Sequence, residues 1–353
     1  MDALGTGAKY APQNGNLLTE IVIQDGSNVT AEDVALFGKL SDLEKLQILN
    51  CRTLDDEMAA KLSSLKGLKA LALTNSTISD ATVELIAASF PNVTDLDLSS
   101  NTNMTNSVLK FVSKMSQLQR LTLVQTKVND IGAMNLTKMK ELRALDLRGN
   151  MQAGDMAMEV IAELPHLTGL KHRSSSVTDS GLESLSHNQT LSALLIQDFK
   201  ISDESGPHLA KFKKLTQLEI FRCQGFGSEG VLALKGMGLT RLTLRDLSSV
   251  DNRAMEVLDD LPQLRRLYLH ELTSVSDEGL KHLASLHSLE SLDIWSMPQL
   301  TDATIETILA LPKLKELSLR ATGITVEGAK KLEARKWTKL DLGTSEEGEA
   351  TAP

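Results

Sequence analysis

One short phrase returns along almost the whole chain and constrains the fold more than any other feature: leucine, two residues, leucine, one residue, then leucine or isoleucine. Its second apolar residue falls at Ile21, Leu46, Leu71, Leu96, Leu121, Leu145, Leu170, Leu194, Leu218, Leu242, Leu267, Leu292, Leu317 and Leu340. The step is always 23 to 25 residues. After the phrase comes a polar turn, then Ser or Thr with Asp, as in Val177-Thr178-Asp179-Ser180-Gly181-Leu182 and Val275-Ser276-Asp277-Glu278-Gly279-Leu280. An apolar pattern spaced three and four apart completes the unit. Alternation puts two aliphatic side chains on one face of a strand and the residue between them on the other. Each unit therefore reads as strand, turn and helix, and none can bury its apolar face alone; stacked, the units share a continuous core.

This reading explains how 353 residues can avoid splitting into separate globules, since single compact cores stop growing at about 250–300 residues. The 62 leucines and the 3% aromatic content fit rows of equal aliphatic side chains. With 24% charged residues the chain is neither disordered nor, lacking any apolar run near ~18–20 residues, membrane-spanning. The start carries no basic segment followed by an apolar one, so the expected location of the chain as it stands is cytoplasmic; an exported form after signal removal would look the same.

The phrase and its period resemble the leucine-rich repeat family over about residues 18–343. The 24–25 residue period and the Thr-Asp-x-Gly-Leu type of helix start resemble bacterial repeat proteins and the repeat region of F-box adaptor proteins, although about 17 residues before the first strand are too few for an F-box. The resemblance implies an α/β solenoid, a horseshoe with a parallel sheet of about 14 strands on its concave face and helices on its convex face. Residues 1–17 are then an extension or cap, and 344–353 a disordered acidic tail. The turn position after each strand holds Cys51, Cys223, Asn101, Asn150, Ser76, Thr126, Ser175 or Thr322, most able to satisfy turn backbone groups. Seven repeats separate the two cysteines, roughly 30 Å at one strand spacing per repeat, so free thiols are expected.

Signals for catalysis dissolve in the repeat register. Gly225-Phe226-Gly227-Ser228-Glu229-Gly230 matches G-x-G-x-x-G, but Ser228-Glu229 stands where other units have Ser-Asp or Thr-Asp, in a turn that every unit makes. Nothing resembles a P-loop, a zinc-protease helix or a nucleophile elbow, and the seven histidines lack metal-ligand spacing. No enzyme activity, cofactor or metal is expected. His172 occupies a core leucine position of its repeat, which predicts a neutral, hydrogen-bonded imidazole at an irregular unit. The net charge of −9 argues against non-specific nucleic-acid binding. Much of it is expected at helix starts, where the dipole favours Asp80, Asp130, Asp179, Asp203, Asp251, Asp277, Asp302, Glu229 and Glu327.

The exposed strand positions form rows. After the second core position run Arg148, Arg173, Gln197, Phe221, Arg245, His270, Trp295 and Arg320; between the core positions of the same units lie Asp146, Lys171, Leu195, Glu219, Thr243, Tyr268, Asp293 and Ser318. Arg241 and Arg266 precede the first core position. Three of the chain's eleven aromatics thus interleave with arginines, the residue types favoured in interface hot spots. The expected function is a non-enzymatic, monomeric scaffold that binds a protein or peptide of acidic character through this face, with Arg148, Arg173, Phe221, Arg241, Arg245, Arg266, Tyr268, His270, Trp295 and Arg320 as the binding residues. The alternative is an exported envelope or glycan-binding structural protein.

Overall fold

The computed structural model describes residues 12–13 and 17–343. The expected N-terminal extension falls largely, and the expected acidic tail wholly, outside the described residues. The chain divides into two compact units, residues 1–176 and 177–353.

In the first unit a short antiparallel pair, β1 (Pro12–Gln13) and β2 (Leu17–Leu18), precedes seven parallel strands. These are β3 (Glu20–Ile23), β4 (Lys45–Ile48), β5 (Ala70–Leu73), β6 (Asp95–Asp97), β7 (Arg120–Thr122), β8 (Ala144–Asp146) and β9 (Gly169–Arg173). The second unit has seven more: β10 (Ala193–Gln197), β11 (Gln217–Phe221), β12 (Arg241–Arg245), β13 (Arg266–His270), β14 (Ser291–Met297), β15 (Glu316–Thr322) and β16 (Lys339–Asp341). Within each unit the phrase leucines pair with one another, Leu46 with Leu71 and Leu218 with Leu242 for example, so the repeat register of the sequence is the register of the strands. Their side chains are buried almost without exception, and the residues between them range from buried, as at Val22, Ala72 and Ser318, to half-exposed on β12 and β13.

Short α and 3-10 segments follow each strand, and their starts tie one repeat to the next. Six of the nine expected helix-start carboxylates do more than complement a dipole and reach across to the following turn, whereas Asp251 accepts from Ser228 of the preceding one. Asp179 accepts from the Ser202 amide at 2.9 Å and from the hydroxyls of Ser202 and Ser205, and Asp302 accepts from the Thr325 amide and hydroxyl. Asp80, Asp130, Asp203 and Asp277 do the same toward their neighbours. Asp56 and Asn252 join this ladder, and neither stood out in the sequence.

The turns carry a second ladder. Asn50, Asn75, Ser100, Gln125, Asp198, Arg222, Asp246, Glu271, Ser296 and Ala321 adopt φ between 49° and 61°, and Gly149 fills the same place at 83°. This left-handed residue swings the chain off the strand. One residue later Asn101 is fully buried, donating to the carbonyls of Leu73 and Leu98 and accepting from Ser76; Asn150 repeats the arrangement with Leu123, Leu147, Thr126 and Val128. The repeat of His172 departs from the pattern. There Ser174, not the expected Ser175, is the buried turn residue, donating to the carbonyl of Met151. His172 itself is fully buried, with its ring nitrogens 3.1 Å and 2.9 Å from the carbonyl oxygens of Leu147 and Ala153. Burial pushes its pKa below the ordinary value, against the pull of those carbonyls.

Cys51 and Cys223 are free and buried, one in each unit. At the last repeat Arg335 donates to the carbonyls of Leu309, Leu311 and Leu314 while its guanidinium lies 4.7 Å from the Trp337 ring centroid, closing the backbone groups of the preceding unit.

Candidate functional site

The glycine-rich string has its amides occupied within the repeat stack. The amides of Gly227 and Gly230, which a phosphate would need, both donate to Oδ1 of Asp203, at 2.6 Å and 2.9 Å. A Cβ on Gly225 would lie 2.4 Å from the Ile201 carbonyl oxygen, so the glycine is there for repeat packing. Another suggestive trio, Ser285, His282 and Asp259, is wired against catalysis. Asp259 accepts from both the Ser285 hydroxyl and His282 Nδ1, so no serine donates to the imidazole as a nucleophile would.

The second unit brings eight of the expected binding residues onto one strand face. Phe221, Arg245, His270, Trp295 and Arg320 are successive Cα partners from β11 to β15, and Glu219, Thr243, Tyr268, Asp293 and Ser318 form the adjacent row. Arg241 and Arg266 are partners on β12 and β13. Arg148 and Arg173 belong to the first unit, where Arg148 is bidentate on Asp146.

Side chains on this face stack in a connected series. The Arg245 guanidinium lies 4.4 Å from the Phe221 ring centroid and 5.2 Å from that of Trp295. Arg241 lies 5.0 Å from the Tyr268 ring. His270 is stacked on Tyr268 at 6.3 Å and meets Trp295 edge-on at 6.0 Å. Weakly hydrated, planar guanidinium suits these ring faces, and each contact fixes a long side chain that would otherwise be mobile.

The expected basic surface is largely neutralised. Arg241 pairs with Glu219 at 3.2 Å, Arg245 with Glu271 at 3.2 Å, and Arg320 lies 3.6 Å from both Asp293 and Asp341. His270 Nε2 is also 3.6 Å from Asp293. Burial works against the charge on Asp293, but the imidazole of His270 and the guanidinium of Arg320 hold its carboxyl below the usual value. Glu271 and the Asp198–Arg222 pair, 2.6 Å apart, are the residues sequence reasoning missed. They occupy the left-handed turn position, which turns their side chains back toward the strand face; the 24–25 residue spacing of charged residues just after each strand is the signal that could have found them.

Among the described residues, the buried side-chain atoms that make no hydrogen bond within the protein gather here. They are Nε of Arg241, Arg245 and Arg320, Thr243 Oγ1, His270 Nε2, Asp293 Oδ1 and Ser318 Oγ, all on β12 to β15. His270 Nε2, Asp293 Oδ1 and Arg320 Nε keep an opposite charge 3.6 Å away, beyond hydrogen-bond reach, and the absence of short hydrogen bonds marks this face off from the satisfied turns and helix starts. In the first unit the corresponding face is different in kind: Asp97 sits near Asp95 and Asp146, and burial first, then those two charges, raise its pKa against the bonds from Ser99.

Stacked strand, turn and helix units that display side chains in rows define a repeat protein with an exposed strand face. A family model described as Leucine Rich repeat matches residues 213–235 and 310–332. Among solved structures the chain is similar to an internalin from Listeria monocytogenes strain 4b F2365, with 21% identity, TM-score 0.51, and coverage of 92% of this chain and 87% of that one. It is similar also to a chain of the yeast Rad7 and Elc1 complex, with 21% identity, TM-score 0.58, and 89% and 77% coverage. A third similarity is to TLR13 in a complex with ssRNA13, with 20% identity and TM-score 0.56; 88% of this chain is covered, but only 50% of that one. No curated protein matches in sequence. The two matched segments are leucine-rich repeats, and the chain has the fold of a leucine-rich repeat solenoid.

Proposed function

We propose that the chain is a non-enzymatic recognition module that binds a protein or peptide partner through the strand face between β10 and β15. The observation that carries this reading is the Phe221–Arg245–Trp295 stack, joined by His270 and Tyr268, on a face that also gathers the buried polar atoms without a hydrogen bond. Rings and arginines held by one another lose little side-chain freedom when a partner arrives, which favours binding. The acidic character of the partner rests on Arg266, which is exposed and forms no ion pair among the described residues, while the other arginines of the face carry a carboxylate. One chain suffices for this surface.

The similar yeast chain comes from a complex with a protein, and TLR13 from a complex with single-stranded RNA. Glu219, Glu271 and Asp293 interrupt the face with negative charge, which weighs against RNA. A glycan-binding envelope protein is the second reading, favoured by aromatic rings beside paired arginines and carboxylates. No helix among the described residues is long and apolar enough to cross a membrane.

Affinity capture with the whole chain and with an Arg245→Ala, Trp295→Ala double variant tests the assignment. The wild type retains a partner that the double variant loses while keeping its circular dichroism spectrum. Equal retention by both would remove the site from this face.

A further inference from the structure

Arg241 and Arg266 are direct Cα partners on the neighbouring strands β12 and β13, at the position before the first core leucine. Adjacent strands lie about 4.8 Å apart, so two guanidinium-bearing side chains leave the same face side by side. Like charges at this separation repel unless something negative stands between them. Among the described residues one carboxylate pairs with them, Glu219, 3.2 Å from Arg241 Nη2, while Glu271 and Asp293 are engaged by Arg245, His270 and Arg320. Further along the row comes Ser291, and only then Glu316, itself the register partner of Lys339. The nearby Glu290 is already taken by Arg265 and Lys315. Two cations and one anion leave a single positive charge uncompensated. It is exposed at Arg266, and Arg241 beside it is braced on the Tyr268 ring with its Nε–H unpaired.

We infer that Arg241 and Arg266, braced by Tyr268, form a subsite for one carboxylate side chain of an extended acidic peptide. One carboxylate balances one charge, whereas a phosphomonoester at about −1.5 to −2 would overcompensate it. The subsite sits at one margin of the stacked series and supplies the charge recognition that the neutralised remainder of the face lacks. It rests on the reading of this face as the recognition surface, yet can fail separately.

The test is a fluorescence anisotropy titration of the full chain with fluorescein-labelled hexaglutamate and hexaglutamine at low ionic strength. Hexaglutamate binds and hexaglutamine binds more weakly; Arg266→Ala weakens hexaglutamate by about three- to fivefold, the size of one exposed ion pair, and Arg266→Lys recovers part of the loss. Added salt shrinks the difference between the two peptides. Equal binding of the two peptides, or no binding of hexaglutamate, overturns the subsite. If Trp295→Ala abolishes binding while Arg266→Ala changes nothing, the face stands and the carboxylate subsite falls. If neither variant alters binding, both readings fall. Tighter binding of oligogalacturonate than of hexaglutamate, lost in Arg266→Ala, replaces the peptide with an acidic glycan and overturns the inference as stated.

Discussion

The guanidinium of Arg245 lies 5.2 Å from the ring centroid of Trp295, two strands away, reaching past His270 to make the contact. A cation over a ring on a half-exposed face contributes about 0.5–1 kcal/mol. In a double-mutant cycle of Arg245→Ala and Trp295→Ala, urea unfolding should give a coupling within that range. A larger coupling would mean that the stack holds the fold together and is not primarily a presentation surface.

Asn101 makes four hydrogen bonds from a fully buried position, two to the carbonyls of Leu73 and Leu98 and two from Ser76. Replacing it by Ala strands these backbone groups without water, and the expected loss of stability is roughly 2–4 kcal/mol. Denaturation midpoints of Asn101→Ala against wild type measure it, and Asn150→Ala should behave alike.

Burial depresses the pKa of His172, opposed by the carbonyls of Ala153 and Leu147. A base with a lower folded than unfolded pKa takes its proton first in the unfolded chain. Its contribution is therefore complete above the unfolded value of about 6.5 and declines as pH falls through it. Between pH 7.5 and 5.5 the wild type should lose up to about 1.4 kcal/mol per pH unit more than His172→Leu. Parallel pH profiles of the two proteins would refute this.

Asp97 shifts in the opposite direction from Asp56, Asp277 and Asp293. Its pKa is raised by burial and by Asp146 and Asp95, so the folded state disfavours its charge at neutral pH. Asp97→Asn should be more stable than wild type at pH 7, with the gain shrinking on acidification as the wild-type carboxyl takes up its proton. Thermal unfolding at pH 7 and pH 4 distinguishes this from a constant packing effect.

Burial pushes the Cys223 thiol up to about 12. At pH 8 only roughly one molecule in ten thousand carries the thiolate that alkylation needs. Iodoacetamide should leave Cys223 unmodified in the native protein and label it after urea unfolding, read by mass spectrometry of the peptide. Rapid native labelling would show that its turn opens.

Strand positions, their register and the face of each strand residue were readable from the spacing of leucines, because a period-2 pattern repeated every 23–25 residues admits one stacking. Tyr268, His270 and Trp295 were placed on one face for the same reason. What the spacing could not supply is which charges meet. Glu271 reaches Arg245 because its left-handed conformation just after β13 turns its side chain back, and Asp179 bonds to Ser202 because the neighbouring repeat's turn arrives at its carboxylate. Likewise Ser174 displaced Ser175 where one turn lacks the regular geometry. Periodicity is a property of neighbours along the chain and was legible there. The pairing of charges belongs to side chains some 24 residues apart, whose reach depends on backbone angles and burial, and only the folded arrangement decides it.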